Sequence, residues 1–201
     1  MVARSASKPA PTRVSVGRGN VFNATSQLPA ALKRVAILPS TAGAAGDLTA
    51  GREALEPVLL QELSRTGRFE IVPITSDQLR EWSGRGHWQT SDQLPVEFFR
   101  KIREKTGCHA VFFSHLTHYH AYPPIAIGWR MTLVDSDEPL IRWAVDELYD
   151  GGEEATAKAA RLYFTKHLPS HPLADSSVVL ASPRRFGQFV TGALVATLPS
   201  R

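Results

Sequence analysis

Imidazole groups are the strongest candidates for chemistry in this chain. His115, His118 and His120 fall within six consecutive positions of the run GCHAVFFSHLTHYHAY. Neutral imidazole binds zinc, copper or nickel, and it titrates near neutral pH. The run is apolar and aromatic enough to form a strand, and strand side chains alternate between faces. Strict alternation puts His118 and His120 on one face and His115 on the other. A metal held by His118 and His120 would then need an Asp or Glu from a neighbouring strand. The competing reading is a strand that leaves the core after Phe113 and carries its histidines as surface groups, with a pH-responsive patch as a variant.

Arg130 and Arg142 stand on the polar faces of the next two strands, and Asp146 lies four residues beyond Arg142 on the same face. These groups could grip an anionic ligand, or they could form cross-strand ion pairs. Trp88 sits beside His87 in the segment SGRGHWQTSDQL. There it either anchors a partner, as exposed aromatics do, or folds down on the core edge. Cys108 is the only cysteine, so no internal disulfide forms. At the opening of a strand it reads as a small core residue, and His109 beside it points the other way. The chain has no GxGxxG after a strand, no P-loop, no GxSxG, no HExxH and no CxxC. No carboxylate pair stands out for acid–base work. These absences weigh against an enzyme, so no catalytic residue and no cofactor is assigned.

The elements that must position these groups follow from periodicity and breakers. KRVAILP reads as a buried first strand, followed by the small-residue loop STAGAAGD. A helix over about Thr49–Thr66 carries Leu55, Leu59 and Leu63 on one face. Pro57 either kinks it or starts its main part, and Gly67 ends it. RFEIVP is a second strand, parallel to the first because a helix joins them. Thr75, Ser76 and Gln78 form a capping-box signal for a short helix to Trp82. A further helix runs from about Pro95 to Thr106. Three strands then follow with short links and must pair antiparallel. Ile125, Ile127, Trp129, Met131 and Leu133 share one face of the middle strand, and Ile141, Trp143 and Val145 are the inward set of the last. A helix over Glu153–Phe164, a loop over His167–Ala181 and a helix from the Ser182-Pro183 cap complete the chain. The expected fold is α/β, a mixed sheet of about five strands flanked by helices, in the order β-α-β-α-α-β-β-β-α-α.

Charge divides the chain unevenly. Residues 1–46 hold Arg4, Lys8, Arg13, Arg18, Lys33 and Arg34 and no acid, so they carry +6 of a net +4, and the remainder is −2. A body of that sign does not suit nucleic acid. A basic arm could instead touch anionic lipid, a phosphate polymer or an acidic partner. Residues 1–31 read as a disordered basic tether with a short strand within VSVGRGNVF, and residues 32–201 as one globular domain with a C-terminal helix over 183–198. No stretch reaches the roughly 18 apolar residues of a membrane span, and the N-terminus lacks the apolar middle of a signal peptide.

Four segments carry a resemblance: VAILP, ALEPVLLQELSRTGRFEIV, GCHAVFFSHLTHY and WRMTLVDSDEPLIRWAVD. Over about residues 33–164 the chain resembles the bacterial envelope lipoprotein group of CsgG, LpoB and the amino-terminal domain of TolB. Three features depart from that group's pattern. His109 stands where the group commonly has Asp, no cysteine for lipid attachment lies near the N-terminus, and no barrel-forming hairpins are evident. The resemblance implies a non-enzymatic domain of the cell envelope, on the periplasmic side, that docks on a protein partner. It also implies a lipid anchor on an upstream segment. The alternative from the residues themselves is a small-ligand or metal-binding domain, with hydrolysis as one outcome, built on His118, His120 and a nearby acid.

Overall fold

The elements run, in chain order, β1 (Val21–Asn23), β2 (Arg34–Ile37), β3 (Thr41–Ala42), α1 (Gly46–Arg65), β4 (Glu70–Pro73), α2 (Ser76–Ser83), α3 (Phe98–Thr106), β5 (Ala110–His120), β6 (Ala126–Asp135), β7 (Ile141–Asp150), α4 (Glu154–His167), a 3-10 helix (Ser176–Ala181) and α5 (Pro183–Val195). This computed structural model describes residues 19–167 and 176–201. The class is the expected mixed α/β. Its open sheet has seven strands in the order β1-β7-β6-β5-β2-β4, with β3 pairing β5 off that path. The two strands beyond the expected five are the short β1 and β3.

Local chemistry explains the connections. β2 lies between β4 and β5 and is parallel to both, as its helical crossovers require. β5, β6 and β7 pair antiparallel through short links. Thr75 caps α2 in a capping box with Gln78, and α3 stops at Gly107, whose φ of 67° suits a residue without a Cβ. α1 runs unbroken from Gly46, with Pro57 inside it rather than at its start. The donor lost at Pro57 would have reached the carbonyl of Glu53; both residues are exposed, so water can serve that acceptor.

Two apolar layers sandwich the sheet unequally. On one face Leu55, Leu59 and Leu63 of α1 and Phe186, Phe189 and Val190 of α5 pack on Phe112, Trp129, Met131 and Trp143. Gly187 lets α1 and α5 approach, because a Cβ there would collide with Leu55. On the other face a smaller cluster joins Leu79 of α2, Phe98 and Ile102 of α3, and Trp88 to Val111, Phe113 and Val134. That second layer stops at the edge of β6.

The structure alters three expectations. Val21–Asn23 forms the expected short strand against β7, and Leu28 and Leu32 are buried in the main core. Residues 19–31, read as tether, are therefore part of the folded body; residues 1–18 lie outside the described residues, as does 168–175 within the expected loop. Ile141 is exposed rather than inward. The register places Trp143 opposite Leu133 and Ile141 opposite Val134, so Arg142 is an extra residue that turns Ile141 to the other face. Finally, α4 extends beyond Phe164 to His167.

Candidate interaction face

A β-bulge decides where the histidines point. His115 pairs with Arg130 and Leu116 with Trp129, but His118, not Thr117, pairs with Gly128. Thr117 is the inserted residue, and one insertion reverses the alternation beyond it. Leu116 and Tyr119 accordingly both belong to the main core side, with the Tyr119 ring against Gly51 of α1. His115, His118 and His120 lie opposite Arg130, Gly128 and Ala126 on the other side. The expected split, with His115 facing away from the other two, is therefore corrected: all three share one face. Gly128 is part of the same device. A Cβ there would lie 2.6 Å from Thr117 Oγ1 and 3.1 Å from the Cβ of His118.

The face is built in rows across the sheet. Thr41, His115, Arg130 and Asp146 form one row over β3, β5, β6 and β7. In it the Thr41 hydroxyl donates to the Ser114 carbonyl at 3.2 Å, so its oxygen accepts from His115 Nδ1 at 2.8 Å. Arg130 Nε donates to Asp146 Oδ2 at 2.7 Å. The next row is His118, Gly128 and Leu148, and the next His120, Ala126 and Asp150. His120 Nδ1 donates to the Pro124 carbonyl at 2.9 Å. Leu148 is 54% exposed, Phe22 53% and Ile141 45%. All three are on this face, by their pairing with Gly128, Ala144 and Val134. Large apolar groups at that exposure, interleaved with His and Arg, have the composition of an interface.

Burial sets the imidazole chemistry. Desolvation pushes the His115 pKa down, with Arg130 adding to the effect and Asp146 opposing it. At neutral pH His115 is thus a neutral ring. Both nearby carboxylates are engaged, Asp146 by Arg130 and Asp150 by the Gly152 amide at 2.8 Å. Among the described residues, no group of three or more His, Cys, Asp or Glu side chains gathers as a metal would need. The acid that a His118–His120 site requires is therefore not brought to it.

The remaining predicted residues are placed elsewhere. Arg142 pairs with Asp135 through Nε at 3.0 Å and Nη2 at 2.7 Å, not with Asp146. The arginines on this sheet thus form ion pairs, which is the ladder reading. Trp88 is 5% exposed, edge-on to Phe98, and its Nε1 donates to Ser83 Oγ at 2.7 Å. Its reading as an exposed anchor is corrected: it plugs the smaller core, because the loop after α2 folds back over that layer. Cys108 is buried, as expected. Phe22, Leu148 and Gly128 escaped sequence reasoning, since nothing in their local pattern shows which sheet face lacks helices.

No family model matches the sequence, and no curated protein matches it. Solved structures do match. The PelC dodecamer from Paraburkholderia phytofirmans aligns at TM-score 0.50 and 11% identity, over 91% of this chain and 99% of that one. Lipoprotein GNA1162 from Neisseria meningitidis aligns at TM-score 0.45 and 14% identity, over 68% of this chain and 99% of that one. The LpoB C-terminal domain from Escherichia coli, a member of the group named from the sequence, aligns at TM-score 0.37 and 17% identity, over 58% and 82%. At these identities the likeness to PelC is one of fold.

Proposed function

We propose that this chain is a non-enzymatic protein-interaction domain of the bacterial cell envelope, which docks a protein partner on the uncovered face of β5, β6 and β7. The carrying observation is the incompletely covered second face of the sheet: the layer of α2, α3 and the loop after α2 stops short, and Phe22, Ile141 and Leu148 stand exposed around the Arg130–Asp146 pair. Envelope placement is supported by the motif resemblance, and anchoring by an upstream lipidated segment follows from that resemblance alone. PelC, with the same fold, is a dodecamer, so this fold is one that other chains can pack against. No described helix is long and apolar enough to cross a membrane.

The test is site-specific photocrosslinking in cells. A photoreactive residue at Leu148 or Phe22 is expected to capture a discrete protein product in the envelope fraction. The same residue at Leu162, exposed on α4, is expected to capture none. Equal capture at all three positions, no capture at any, or recovery of the chain in the cytosol would refute the proposal.

A further inference from the structure

A second feature, next to the docking face and sharing Thr41 with it, lies where the first parallel strand hands over to α1. A cavity of about 320 Å³ opens there, between the segment Ser40–Ala42, the first half of α1 and the loop after α2. Open α/β sheets place small ligands outside the carboxyl ends of their parallel strands, and this volume lies within the range of ligand sites. The walls are polar. Arg52 comes from α1, and Arg85, His87, Gln89 and Asp92 come from the loop.

The two guanidiniums are held in different ways. Arg52 contacts Glu53 at 3.1 Å and Glu56 at 3.7 Å, and Glu56 also accepts the Ser40 amide at 2.6 Å, which ties the arginine to the strand end. Arg85 lies over the Trp88 ring, 4.4 Å from its centroid, and only 3.8 Å from Asp92, beyond hydrogen-bond range. Its donors are therefore not spent on that carboxylate. Buried Trp88, wedged by Phe98, serves as a platform that aims Arg85 at the cavity. Burial pushes the His87 pKa down, helped by Arg52 and Arg80 and opposed by Glu56, so this ring enters the site neutral. Asp92 Oδ2 accepts the Gln89 backbone amide at 2.9 Å, which leaves its other oxygen and the Gln89 side-chain carbonyl as acceptors for hydroxyl groups.

We propose that this cavity binds a small hydroxylated organic anion, with its carboxylate or phosphate held by Arg52 and Arg85 and its hydroxyls by Gln89 and Asp92. A planar guanidinium suits both anions. Isothermal titration of the full chain at fixed ionic strength, with glucuronate, glucose 6-phosphate and glucose as probes, tests the site. Saturable binding of either anion, with none by glucose, is the expected result, and the anion that binds identifies the headgroup. Arg85→Gln should weaken that binding about tenfold or more with only a small shift in melting temperature, since Arg85 is exposed and its side chain contributes only a ring contact to Trp88 and a 3.8 Å ion pair with Asp92 among the described residues. Arg100→Gln, on the far side of α3, should leave it unchanged. Absence of saturable binding by both anions, equal binding of glucose, or equal affinity in Arg85→Gln would overturn the proposal. A failed crosslink at Leu148 would leave this site standing, because its readout involves no partner protein.

Discussion

His115 is a residue whose protonation the fold resists. Its ring gives one nitrogen to Thr41 and faces Arg130, with Asp146 beyond as the opposing charge. A histidine with a depressed folded pKa binds fewer protons folded than unfolded. Its stability contribution is complete above about pH 6.5, the unfolded value, and is lost as pH falls through the folded pKa. His87 is depressed as well and acts with the same sign. Thermal melts between pH 8 and 5 should therefore show a falling melting temperature below about pH 6.5. In His115→Gln that slope should flatten, and in the double variant with His87→Gln it should flatten further. An unchanged slope in the double variant would show that neither ring titrates with folding. Gly128 is the second residue with a sharp consequence. Gly128→Ala should cost about 1–3 kcal/mol, because the methyl must displace Thr117 Oγ1 or shift the bulge. Removing that oxygen in Gly128→Ala/Thr117→Ala should recover part of the loss, read by urea denaturation.

At the scale of elements, the contact between α1 and α5 is sensitive to a single change. Leu55 is fully buried against Gly187, so a methyl at Gly187 meets Leu55 directly. Gly187→Ala should destabilise by about 1–3 kcal/mol, as overpacking does. Leu55→Ala alone should cost about 2–5 kcal/mol through the cavity it leaves. The double variant should cost less than the sum, since each change relieves the other. Strict additivity in a double-mutant cycle would mean that the helices do not meet here. The same scale explains the histidine face. Strand alternation predicts side-chain direction only while the ladder is regular, and one residue at Thr117 reverses His118 and His120 together relative to His115.

For the whole molecule, the segment Leu28–Leu32 closes on the last two residues, Ser200 and Arg201. The Leu28 amide donates to the Ser200 carbonyl at 2.8 Å, and Arg201 Nη2 reaches the Leu32 carbonyl at 2.5 Å. β1 also covers part of the edge of β7. A chain starting at residue 32 loses β1, buried Leu28 and the Leu28–Ser200 bond, while the Arg201–Leu32 bond can remain; burial of a leucine alone is worth about 1.5–3 kcal/mol. It should melt below a chain starting at residue 19, by several degrees on the scale expected for this length. Identical melts would mean that residues 19–31 pack without stabilising the body.

The order of strands and helices, the parallel start and antiparallel finish of the sheet, the capping box at Thr75 and the Ser182-Pro183 start of α5 were all legible in the sequence. They depend on local periodicity, breakers and link length, which act between near neighbours. The ion pairing of Arg130 was legible too, as one of two readings, because opposite charges on adjacent strands meet wherever register allows. The common face of the three histidines, the exposure of Ile141, the burial of Trp88 and the cavity of Arg52 and Arg85 were decided only by tertiary structure. Bulges arise from how two strands pair, and burial depends on which face a distant helix covers. Neither is a property of any short stretch of chain, so no local pattern could announce them.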